Sequence, residues 1–144
     1  MAWPTDSELH DLVVRFENAT LSAAEWTHSA HLVTGLWHAR TFSEADALNR
    51  LREGILRLNA AHGTPNTDTR GYHETITRAY LVLLARFAAT NPELTVSAMA
   101  QALLAGDLAK RDALFSYYSR DVLMSVAARR DWIEPDLRCL VLGA

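Results

Sequence analysis

The sequence predicts an all-α protein, a compact antiparallel bundle of about six helices. Three observations predict it. Apolar residues recur at helical spacing along most of the chain, and no stretch of useful length alternates with the period-two pattern of a strand. Capping residues stand just ahead of the apolar runs. Connections are short and punctuated by glycine and proline.

Each element has its own signal. Thr5-x-x-Glu8 is a capping box for a helix from about Ser7 to Glu17. Ser22-Ala23-Ala24-Glu25 is a second box, and it predicts a helix reaching about Arg40. Ser43 opens a third helix carrying Leu48, Leu51, Ile55 and Leu58, and His62-Gly63 ends it with a C-terminal glycine. The polar run from Thr64 to Gly71 reads as irregular. A fourth helix is expected from Tyr72 to about Thr90, stopped before Asn91-Pro92. Thr95 caps a shorter fifth, from Val96 to Ala105, closed by Gly106. One or two more fall between Asp107 and Trp132, with Pro135 as the stop. There is no internal repeat or linker, so residues 1–144 read as one domain.

Composition narrows the function classes. Hydrophobic residues are 49% and charged residues 22% of the chain, ordinary globular usage. The net charge of −3 gives no footprint for nucleic acid, and the densest basic pair, Arg129-Arg130, is flanked by Asp131 and Glu134. The apolar run from Ala79 to Leu84 is far short of a membrane span. The N-terminus shows no signal-peptide pattern, and Cys139 has no partner for an internal disulfide, which predicts a cytoplasmic protein. Cys139 itself reads as a small apolar residue of the tail. A homodimer is compatible with the sequence, which does not show one.

The chemistry-bearing residues are histidines. His28 and His31 are spaced i, i+3, so they share one helix face. Histidine is the commonest metal ligand and the usual acid/base group near neutral pH. On the fourth helix His73, Ile76, Thr77, Tyr80, Leu83, Leu84 and Phe87 fall on one largely apolar face, which predicts an inward His73 in need of a partner. Gly35 shares the strip of His28 and His31, where it makes room for a neighbouring helix or a ligand. His38 also shares that strip but lies about 15 Å along the axis from His28, too far to bind the same ion. His10 reads as a surface residue, and His62 as a cation at a helix C-terminus.

The expectation is therefore that His28, His31 and His73 converge on one divalent metal (zinc, nickel, iron or manganese) with a position open to water. Glu25 or Glu74 would be its fourth ligand or the general base; Glu74 can equally pair with Arg78. Metal-assisted hydrolysis, isomerisation or group transfer on a small polar substrate would follow. Two alternatives stay open. One is a metal-free binding or acid/base pocket with Tyr72, Tyr80 and Arg120 as anchors. The other is an interaction module whose histidines are structural.

Three strings, Glu25-Trp26-Thr27-His28-Ser29-Ala30-His31-Leu32, Gly71-Tyr72-His73-Glu74-Thr75, and Tyr118-Ser119-Arg120 followed by Trp132-Ile133-Glu134-Pro135, resemble a family of short bacterial helical proteins. That resemblance implies that the three blocks belong to one design, and it brings no activity with it. The string from Trp26 to His31-Leu32 is also similar to the DinB-like metal-dependent bundles, which implies a three-histidine metal site. The later His-x-x-x-His pair of those bundles has no counterpart here.

Overall fold

A computed structural model of the chain describes residues 2–140. Among them run the helices α1 (Asp6–Glu17), α2 (His28–Thr41), α3 (Glu44–Ala61), α4 (Glu74–Thr90), α5 (Val96–Leu104), α6 (Arg120–Leu123) and α7 (Val126–Arg130). Two 3-10 turns, Asp107–Ala109 and Ala113–Ser116, lie between α5 and α6. The described residues contain no strand, and the all-α bundle is as the periodicity predicts. None of these helices is long and apolar enough to cross a membrane.

Local chemistry sets most boundaries. Thr5 and Glu8 make both bonds of the capping box on α1, at 3.2 and 3.0 Å. Ser43 and Thr95 each accept a backbone N–H from the third residue of the helix they open. Gly63 ends α3 at φ +69°, a left-handed conformation in which a side chain would be strained. In the C-terminal third, Ser119 and Ser125 each accept the N–H three residues on. Each serine thereby starts a new short helix, where the sequence pattern had one or two longer ones.

Packing centres on α2 and α4, with α3 laid against both and α7 against α4. The main core joins α1, α2, α3, α4 and α5, with Phe16, Leu36, Leu58 and Leu84 fully buried. A second cluster uses the other side of α4: Ala79 and Leu83 meet Leu114, Tyr118, Leu123 and Leu140. Each leucine or phenylalanine among them contributes about 1.5–3 kcal/mol on leaving water. Two glycines within helices allow close approach between helices. A Cβ at Gly54 would lie 2.2 Å from the Phe16 ring, and one at Gly35 would lie 2.8 Å from Leu84 Cδ1. Gly35 therefore gives α4 room to press against α2.

Candidate functional site

The site begins where α2 begins, which is later than the Ser22 box predicts. The box does form: Glu25 N–H reaches Ser22 Oγ, and Ser22 N–H reaches Glu25 Oε1 at 2.9 Å. It closes only one turn. Arg15 of α1 grips the Glu25 carboxylate at 2.6 and 2.8 Å, and Thr27 then adopts an extended conformation and caps α2 through Ala30 N–H. His28 is thus the first residue of α2, and His31 stands in its first turn.

Both imidazoles are tied to backbone carbonyls, which fixes their tautomers because a carbonyl can only accept. His28 donates from Nε2 to Ala109 O at 3.1 Å, leaving the lone pair on Nδ1. His31 donates from Nδ1 to Thr27 O at 2.7 Å, leaving it on Nε2. The His31 ring lies 3.8 Å from the centroid of Trp26, and His28 meets the edge of Tyr80. Desolvation lowers the pKa of His28, and Arg111 adds to the effect. His31 is exposed at its outer side, yet the protein packed around its ring lowers it too, with His28 and Arg111 contributing. Both rings are neutral at pH 7, and each keeps one nitrogen able to accept a proton.

These rings wall a cavity of about 370 Å³ between α2, α3 and α4. Leu32, Leu51, Ile55, Leu81 and Leu84 give it an apolar surface; Thr27, Thr77, Tyr80 and Arg111 are its other polar residues. Burial pushes the Tyr80 phenol up, and Asp112 adds to this. A second cavity of about 310 Å³ shares Trp26, His31, Ile55, Ile76 and Thr77 with the first and extends to Asn59, Tyr72, His73 and Arg129. Pockets of this size and lining suit small organic molecules.

The other residues singled out from the sequence are placed differently. His73 is not on the helical face; it is the N-cap of α4. Its Nδ1 accepts Ile76 N–H at 3.1 Å and its Nε2 donates to Leu123 O at 2.8 Å, so both nitrogens are engaged. Among the described residues no three His, Cys, Asp or Glu side chains are grouped to hold a metal ion, so the expected convergence of His28, His31 and His73 is not what the fold builds. The physical reason lies in the caps. Thr27 and His73 are the N-caps of α2 and α4, and with them His31 is committed to Thr27 O while His73 is committed to Ile76 N–H and Leu123 O.

Glu25 is held by Arg15 and Ser22, and the Arg15 hydrogen bond above all lowers its pKa to about 2. It lies outside the cavity wall. Glu74 pairs with Arg52 of α3 at 2.6 and 2.9 Å and accepts the Tyr72 hydroxyl at 2.7 Å, not Arg78. Burial raises its pKa, but Arg52 and Tyr72 outweigh that and leave it lowered. Both carboxylates are therefore occupied by structural partners. Tyr72 lines the second cavity and Tyr80 the first, while Arg120 lies over the Phe115 ring at 4.7 Å and lines neither.

The arginine at the first cavity is Arg111, which sequence reasoning did not single out. It sits in the polar stretch between the two 3-10 turns, where a solvated charge carries no distinguishing signal. The role of Thr27 was readable in principle, as a threonine ahead of an apolar run, but Ser22 offered a competing start with a complete box. His38 is buried, donating from Nδ1 to Thr34 O at 2.8 Å among Phe16, Trp37 and Phe42. His62 caps α3 and donates to Leu21 O at 2.7 Å. Comparison of the chain with protein-family models, with curated proteins and with solved structures gives no match.

Proposed function

We propose that the protein binds a small organic molecule in the cavity between α2 and α4 and that His28 and His31 serve there as proton acceptors. The observation that carries this reading is the pair of imidazoles bonded to backbone carbonyls. Each has its N–H tied to a backbone carbonyl, which leaves a basic nitrogen on both rings in a largely apolar wall. Each free nitrogen can accept an O–H or N–H from a ligand or from water, since His28 is half-buried and His31 exposed. The same nitrogens suit general-base chemistry, since a lowered imidazole is deprotonated at neutral pH. Tyr80 and Arg111 are the orienting groups. With one cysteine in the chain, a cytoplasmic setting goes with this proposal.

The test has two stages. Long-range imidazole ¹H–¹⁵N correlation at pH 7.5 should show His28 protonated at Nε2 and His31 at Nδ1; the reverse tautomer at either ring removes the basis of the reading. A thermal-shift screen of small organic acids, alcohols and amides on untagged protein should then give ligands whose binding is lost in Ile55→Phe and weakened in His31→Gln. Hits indifferent to both variants, or near-stoichiometric metal in the purified protein, would count against a metal-free pocket.

A further inference from the structure

The two cavities adjoin along a shared wall of Trp26, His31, Ile55, Ile76 and Thr77, and together they make up a groove. The chain has 17 acidic residues and only 14 basic ones, yet no aspartate or glutamate lines either cavity. Each cavity has an arginine instead, Arg111 in the first and Arg129 in the second. The two differ in how far they are engaged. Arg129 donates to the carbonyls of Gly71 and Tyr72 at 2.9 and 3.4 Å. Arg111 is exposed and takes no part in the ion pairs among the described residues, which engage Arg15, Arg52, Lys110 and Arg130.

We infer that the groove takes an amphipathic organic carboxylate, its apolar body against Trp26, Ile55 and Ile76 and its carboxylate on Arg111. The inference rests on the preceding reading of the cavity as a ligand site and adds the class of ligand. A guanidinium offers a planar fork of donors that matches a planar carboxylate with two parallel hydrogen bonds. With both imidazoles neutral, Arg111 is the only full charge in the first cavity's wall, which suits a singly charged anion. No carboxylate stands in the walls to take the guanidinium from the ligand; Asp112, whose charge is felt at Tyr80, lies just outside them. The apolar lining favours a hydrocarbon body over a compact polar acid, and the second cavity gives longer bodies somewhere to extend.

Calorimetric titration of the full chain with two matched pairs tests this: octanoate against octanamide, and 4-phenylbutyrate against 4-phenylbutyramide. The acids should bind roughly tenfold tighter than their amides at low salt, the ratio that one charge-assisted pair supports. Arg111→Gln should bring the acids down to the amides' affinity and leave the amides unchanged, with a melting curve like the wild type's. Arg70→Gln, at an exposed arginine outside the groove, should change nothing. Acids binding no better than amides, or a preference that survives Arg111→Gln, overturns the inference; amide binding lost in Ile55→Phe would meanwhile uphold the pocket itself. Failure of all four probes overturns the carboxylate assignment, and the broader screen above then decides the pocket separately.

Discussion

His73 gives the sharpest separation between a structural and a ligating histidine, because its two ring nitrogens do two separable jobs. Nδ1 caps α4 through Ile76 N–H, and Nε2 ties α4 to the end of α6 at Leu123 O. Replacing it with alanine removes both. A lost N-cap costs about 1 kcal/mol, and a buried carbonyl left without its donor costs about 1–3 kcal/mol. The expected loss is therefore about 3 kcal/mol, well inside the stability of an ordinary domain, so the variant stays folded. Asparagine is among the best N-cap residues but is too short to reach Leu123. His73→Asn should therefore recover the capping share, about 1 kcal/mol, and lose only the carbonyl share, about 2 kcal/mol. Urea unfolding at pH 7.5, followed by far-ultraviolet circular dichroism, measures both. Dialysis against a chelator should leave the wild-type midpoint where it was, since a metal bound only by the folded chain would stabilise it. Equal losses in the two variants, losses below about 0.5 kcal/mol in both, or a midpoint that falls on chelation would refute the assignment of His73 to capping and tying.

Three further outcomes follow from the packing. Gly54→Ala places a methyl 2.2 Å from Phe16 Cζ in a ring held against Trp26 and His38, and overpacking there should cost about 1–3 kcal/mol in denaturant unfolding; a neutral effect would show that the α1–α3 contact gives way easily. Thr34 carries a buried hydroxyl with no partner among the described residues, so Thr34→Val should raise stability by about 1 kcal/mol, and a loss would show that the hydroxyl is paired. Desolvation, the largest cause in each case, holds the folded-state pKa of His38 and of His73 below 6.5. The unfolded chain binds those protons first, so stability is fully present above pH 6.5 and is lost as pH falls from there towards the folded values. Unfolding midpoints that stay flat from pH 8 to pH 5 would contradict it.

What was legible in the sequence was what depends on near neighbours. Thr5, Ser43 and Thr95 cap the helices expected of them, and Gly63 ends α3, because each needs only the three or four residues beside it. The start of α2 was misplaced because two caps competed locally and the decision came from Arg15, whose grip on Glu25 crosses from another helix. Glu74 was misread in the same way. Arg78 is its neighbour by helical spacing, but Arg52 of α3 holds it with two hydrogen bonds. Arg111 was invisible, since only the fold brings its polar stretch to the His28 end of α2, through the carbonyl of Ala109.

The histidines show why spacing alone was a poor guide to the site. His28, His31, His38, His62 and His73 each donate a ring N–H to a backbone carbonyl, of Ala109, Thr27, Thr34, Leu21 and Leu123 respectively. The fold therefore uses imidazole first as a fastener for carbonyls near helix ends and crossings, whatever else the ring does. Function is then a matter of the second nitrogen. At His73 the backbone of α4 takes it, and His38 lies among aromatic rings away from either cavity of the groove. At His28 and His31 it is left over, in the wall of a cavity that has an arginine and no carboxylate. The pair stands apart because its structural bonds consume one nitrogen on each ring and leave the other free, a distinction that the i, i+3 spacing alone cannot draw.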